Sequence, residues 1–206
     1  MVFDSAGQVD RIMSIFTNKD GTFTRQGAAA DPNRSVIASV RDNLRPSETR
    51  NYYEIVPKGL YEDSLAYVDR PHEWNGVDER GIPPYLLGAD YIKPFNDDKQ
   101  RFDFRLEVTL AAPAQMYLFF DDRIAPPAWL LEEFEDTGDD IGIDIGPAAG
   151  LGKGPRIGYG PGQWVDLAVS VWRRKVTTPG IVVLGPNSGS TANSAMYGIC
   201  AIAIDQ

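Results

Sequence analysis

Two short phrases of this chain each combine an aromatic residue, two carboxylates and a cation: Phe-Asn-Asp-Asp-Lys at 95–99 and Phe-Phe-Asp-Asp-Arg at 119–123. Paired carboxylates can exchange protons, hold a metal, accept hydrogens from sugar hydroxyls, or clasp strand ends by accepting backbone N–H groups. Asp97, Asp98, Asp121, Asp122 and Arg123 are therefore candidate ligand-binding residues. Each phrase also sits at a strand boundary, where a clasp needs no ligand. A glycosidase would need one carboxylate of raised pKa facing another across a cleft, which no linear pattern reveals.

A second acidic tract contains Asp136, Asp139, Asp140 and Asp144. Oxygen ligands at that density suit Ca²⁺, which takes six to eight of them. The spacing is not that of an EF-hand, so any ion here would be structural; the alternative is a solvated acidic turn with Asp136 capping Thr137-Gly138. His72, the single histidine, lies in Asp-Arg-Pro-His-Glu-Trp-Asn-Gly (69–76). It is too solitary for a His-rich zinc site, and no Gly-x-Ser-x-Gly elbow accompanies it, so it reads as a loop residue. Tryptophans stack on the apolar faces of sugars when exposed. Of Trp74, Trp129, Trp164 and Trp172, the first two fall in apparent loops and are the candidate platform. The glycine-rich stretch 146–162 matches neither phosphate-binding spacing and reads as a surface loop.

The elements that must position these residues are short strands. Phe102–Leu110 alternates apolar and polar residues, as a half-buried antiparallel strand does. Ala112-Pro113-Ala114 then predicts a turn, with Gln115–Phe120 returning as a central hairpin partner. That pairing would bring both Asp-Asp phrases to one end. Further strands are expected at 11–16, 35–40, 52–56, 65–69, 85–92, 164–172, 181–184 and 195–204, and one short helix at 127–135 with Pro127 in its first turn. Many short strands, frequent turn residues and little helical period predict an all-β antiparallel sandwich, jelly-roll-like, over 51–206. Residues 1–50 read as a β-rich extension.

Composition narrows the function classes. Twenty-nine acidic residues against 20 basic ones give a formal charge of −9, which leaves no basic excess for nucleic acid or anionic membrane. No apolar run approaches the roughly 18 residues of a membrane span. Cys200 is the sole cysteine, lies in an apolar run, and reads as a small core hydrophobe. The first residues, MVFDSAGQVDR, do not read as a signal peptide.

Several motifs occur in a recognisable order: Gly59-Leu-Tyr-Glu-Asp, Tyr67–Gly76, Leu87-Gly-Ala-Asp-Tyr91, Phe95–Lys99, Tyr117–Arg123, Trp129-Leu, Asp136-Thr-Gly138, Val171-Trp172 and Ala195-Met-Tyr-Gly-Ile199. Over about residues 55–204 the chain resembles an uncharacterised β-sandwich domain of large bacterial surface proteins that often also carry FecR-like and LamG-like domains. That resemblance implies a surface or extracellular setting and points toward glycans. Three functions are thus expected. The first is a non-catalytic module that recognises carbohydrate or another cell-envelope ligand, with Ca²⁺ optional. The second is a self-assembling subunit of a fibre, sheath or surface layer joined through residues 1–50. The third is a glycoside hydrolase or polysaccharide lyase.

Overall fold

The computed structural model describes residues 35–145, 161–162, 165–187 and 194–204. The strand expected at 11–16, the glycine-rich stretch up to residue 160, and Trp164 lie outside the described residues. The described chain forms strands β1 (Ile37–Asp42), β2 (Glu54–Val56), β3 (Ser64–Leu65), β4 (Glu73–Asn75), β5 (Asp90–Lys93), β6 (Leu106–Leu110) and β7 (Ala114–Asp121). Helix α1 (Ala128–Glu133) follows, then β8 (Glu135–Asp144), β9 (Leu167–Val176), β10 (Gly180–Leu184) and β11 (Gly198–Ala203). All strand pairs are antiparallel. They make an all-β sandwich of a three-stranded sheet, β1-β6-β10, and an eight-stranded sheet, β2-β5-β11-β7-β9-β8-β4-β3. Among the described residues no helix is long and apolar enough to cross a membrane.

The alternation read in the sequence places the inner faces. Leu106, Val108 and Leu110 of β6 join Val182 and Leu184 of β10 in the buried core, while Ile181 stays exposed. On the large sheet, Leu118 pairs with Ile199 and Ile199 with Ile92, so these three share one face, and all are buried. Burial of apolar side chains at this density supplies most of the driving force for folding.

The other face of the large sheet is buried as well, because that sheet curls. Register links Trp74 to Ile143, Ile143 to Leu167, Val169 to Asp121 and Phe119 to Gly198, so all seven lie on the same side when Val171, opposite Phe119, completes the row. Trp74 belongs to β4, separated from β7 by β8 and β9 in the sheet order. Its ring nevertheless stands edge-on to Phe119 of β7, with centroids 5.1 Å apart. Only a sheet rolled into a half-barrel brings those strands together. Gly198 permits the close approach: a Cβ there would lie 2.5 Å from Phe119 and 2.6 Å from Trp74.

Three sequence expectations are corrected. The 112–114 segment is a corner between sheets rather than a hairpin turn, since β6 belongs to the small sheet and β7 to the large one. Pro113 has no N–H to continue a ladder, and the corner is held instead by Ala111 N–H to Val36 (2.8 Å) and Ile204 N–H to the Pro113 carbonyl (3.0 Å). The strand expected from Phe102 begins at Leu106, because Asn43 takes the backbone of this segment out of register, bonding Asp103 O (2.7 Å) and Arg105 N–H (2.7 Å). Phe102 is consequently 73% exposed. The boundary drawn at residue 50 also cuts the sandwich: β1 pairs along β6, and Asp90 ties its approach by accepting Val36 N–H at 2.5 Å. Residues 1–34 lie outside the described residues.

Candidate functional site

The two Asp-Asp phrases do come to one end of the molecule. The first forms a single 3-10 turn, Asn96–Gln100, after β5, and the second straddles the end of β7. Between them opens a cleft of about 600 Å³ at the mouth of the half-barrel. Ile124, Ile143, Ile145 and Leu167 form its aliphatic wall, and Asn96, Lys99, Arg123, His72 and Ser194 bring polar atoms to it. The cations and the amide of the phrases line this space, and of their carboxylates Asp121 supports it.

Asp121 is the chief support. Its side chain is fully buried and accepts Ala195 N–H (2.6 Å), Arg123 N–H (3.0 Å), Arg123 Nε (2.9 Å) and Arg123 Nη2 (2.7 Å). Burial pushes its carboxyl up, but these hydrogen bonds and the guanidinium charge outweigh burial and hold it below the usual carboxylate range. Beneath lies Tyr67, whose hydroxyl donates to Met196 O at 2.7 Å. Asn96 Oδ1 accepts Met196 N–H at 3.1 Å, so the chain entering β11 is pinned from both sides of the cleft.

The other sequence candidates are dispersed. Asp97 is exposed and pairs with Arg70 at 2.5 Å. Asp98 is buried on the far side of its turn, bonded to Arg45 and to the Tyr53 hydroxyl (2.6 Å), while the Arg45 guanidinium stacks 3.9 Å over Tyr52. Asp122 is exposed and accepts hydrogen bonds from Ser170 N–H and its hydroxyl. Neither tryptophan is a free platform. Trp74, expected in a loop, occupies β4 and is 1% exposed. Trp129 packs against Tyr197 and Phe134, and its Nε1 donates to Pro186 O at 2.9 Å.

The acidic tract expected as a Ca²⁺ loop is strand β8, so its carboxylates are spread along an extended chain. Asp136 caps Gly138 N–H (2.9 Å), Asp139 accepts from the Tyr85 hydroxyl (2.7 Å), Asp140 is exposed, and Asp144 is buried opposite Glu73. Burial, then repulsion from Asp122, Asp136 and Asp139, pushes the Asp140 carboxyl up. Among the described residues, no group of three or more His, Cys, Asp or Glu side chains is placed to hold a metal ion.

Sequence reasoning passed over Lys99 and Asn96, and set His72 aside. Its ring stands edge-on to Tyr67 at 5.5 Å, with Nδ1 buried and lacking a hydrogen-bond partner among the described residues. Burial, then the charges of Lys99 and Arg70, lower its pKa to about 4. The unfolded imidazole takes its proton near 6.5, so this depressed group contributes stability that is complete above that pH. The contribution is lost as pH falls from 6.5 toward 4 and changes no further below. The expected result is that His72→Gln flattens the decline in melting temperature between pH 7 and pH 4.5. Parallel melting curves for variant and parent across that window would exclude it.

No protein-family model matches the chain, and no curated protein matches it. Among solved structures, it is similar to a β-glucuronidase from glycoside hydrolase family 2, with a TM-score of 0.57 and 20% sequence identity. The similarity covers 74% of this chain and 14% of that one, so the shared part is a small portion of the enzyme. At this identity the likeness is one of fold.

Proposed function

We propose that the chain is a non-catalytic β-sandwich module that binds carbohydrate in the cleft at the mouth of its curled sheet, in a surface or extracellular setting. The observation that carries this reading is the division of the cleft. Ile124, Ile143, Ile145 and Leu167 line it together with Asn96, Lys99, Arg123 and Ser194, so apolar surface and hydrogen-bonding groups share one cavity. A sugar ring has the same two aspects, apolar C–H faces and a hydroxyl rim, and the cleft volume falls within the roughly 300–1,000 Å³ of small-ligand sites. The fold neighbour, part of a glycoside hydrolase, supports a carbohydrate setting.

A non-catalytic role accords with Asp121, the supporting carboxylate of the cleft. It is engaged by four donors and held ionised, so it has neither a proton to give nor a free face for a nucleophile. The expected result is saturable binding of the 206-residue chain to a subset of polysaccharides on a glycan array, confirmed by titration calorimetry. Calcium should leave the affinity unchanged. Absence of binding to any glycan, with or without Ca²⁺, would end this reading.

A further inference from the structure

We infer that the glycan residue seated in the cleft is an acidic one, a uronic acid whose carboxylate docks on Lys99 and the free edge of Arg123. This rests on the carbohydrate reading above and adds the ligand's charge to it.

The inference follows from how the charges around the cleft are already paired. Arg123 sits on Asp121 through Nε and Nη2, while Nη1 donates to none of the described residues. Arg70, on the connection from β3 to β4, is matched by Asp69 at 3.2 Å and Asp97 at 2.5 Å. Asp69 in addition accepts Asn96 N–H at 2.8 Å, and Asp166, ahead of β9, accepts Ile145 N–H at 3.2 Å. Asp121 is fully engaged, and His72 is neutral at pH 7. Among the described residues Lys99 makes no ion pair.

That ammonium is half-buried, with two cations and two carboxylates around it. Burial lowers its pKa; the charges of Asp97 and Asp69 oppose that shift and those of Arg70 and Arg123 add to it. A cation already stripped of part of its water, and in no ion pair among the described residues, gains more from a guest anion than a solvated surface lysine would. It lines the same cleft as the aliphatic residues. A ring that rests a C–H face on those aliphatic residues is thereby in the same cleft as Lys99 and Arg123, which can meet a substituent at its edge. A neutral hydroxyl there would leave the charge uncompensated; a carboxylate answers both donors. The chain as a whole carries −9, so this selectivity is local to the cleft and runs against the molecule's overall charge.

The test compares an oligouronate, the same oligosaccharide with its carboxyl groups reduced to alcohols, and a sulfated neutral oligosaccharide, by titration calorimetry on the full chain. The oligouronate is expected to bind at least tenfold more tightly than its reduced counterpart. Lys99→Met and Lys99→Gln are each expected to abolish that preference while leaving the melting temperature within about a degree of the parent. Lys175→Met, on the exposed part of β9, serves as the control and is expected to retain it. Equal affinity for the uronate and its reduced form would overturn the inference and leave the carbohydrate reading standing. Preference for the sulfated glycan would overturn the assignment of a carboxylate. Binding to none of the three, nor to any array glycan, would overturn both.

Discussion

Asp121→Ala is expected to lower stability by about 2–4 kcal/mol. A buried carboxylate that answers several donors costs more to remove than to have, because its partners are left unpaired in a site they cannot leave. Deleting it strands Ala195 N–H, which is buried, and deprives the Arg123 guanidinium of its anion. Breaking a fully buried ion pair costs about 3–5 kcal/mol, and the lower range used here reflects the partial exposure of Arg123, 47% at its side chain. For a domain of this size the loss corresponds to a fall of roughly 5–15 °C in melting temperature. Asp121→Asn keeps the shape and should lose less. The folded carboxyl is held below the range of the unfolded one, so its contribution is complete above about pH 4. It disappears as pH falls through the lower, folded value. Melting the alanine variant at neutral pH within a degree of the parent would show that the clasp is not structural.

Trp74→Ala should be costlier still, about 3–5 kcal/mol. Among the described residues the ring is the largest fully buried side chain, packed on Phe119 at 5.1 Å, on Tyr67 at 6.0 Å, and over Gly198. It is the contact that closes the half-barrel, so the cavity left behind has no neighbour free to fill it. A domain of ordinary marginal stability would keep only a fraction of its margin. The same substitution separates the two roles assigned to this residue. A sugar platform, as the sequence suggested, would lose binding with little change in melting; a core residue loses melting first. Denaturant unfolding of Trp74→Ala and Trp74→Phe makes the comparison. An alanine variant as stable as the parent would contradict the placement of Trp74.

The fold class was readable because alternation survives wherever one face of a strand is wet. β6 and β10 show it, and the strands expected at 181–184 and 195–204 fall close to β10 and β11. The helix at 127–135 likewise contains α1. What the sequence hid was curl. A strand of a rolled sheet is buried on both sides, so β7 shows no alternation, and β4 is three residues long between Pro71 and Gly76. Trp74 consequently looked like a loop residue, and β8, with its acidic first half, looked like a turn. The site was legible in place but not in detail. The paired phrases were rightly expected at one end, although the strands joining them lie in different sheets. Periodicity gave no means of learning that Asp121 turns inward to hold the backbone, that Asp97 and Asp122 stay exposed, or that Asn96, Lys99 and Arg123 line the cleft.

The irregularity in β8 bears on which changes of length this chain tolerates. Asp136 stands opposite Trp172 and Asp140 opposite Ser170, so four steps along β8 are matched by two along β9. The surplus is folded into a small knuckle: Gly138 at φ +77°, its N–H on Asp136, and the Thr137 hydroxyl on Val171 O at 2.7 Å. Because the surplus is even, the strand leaves the knuckle in phase, and Ile141 and Ile143 still turn toward Val169 and Leu167. Removal of one residue from the knuckle would present both isoleucines to the opposite face and the aliphatic wall of the cleft would vanish. Removal of two would restore it. Length on this strand is thus counted in pairs, and variation that respects the pairing can pass close to the cleft without disturbing it.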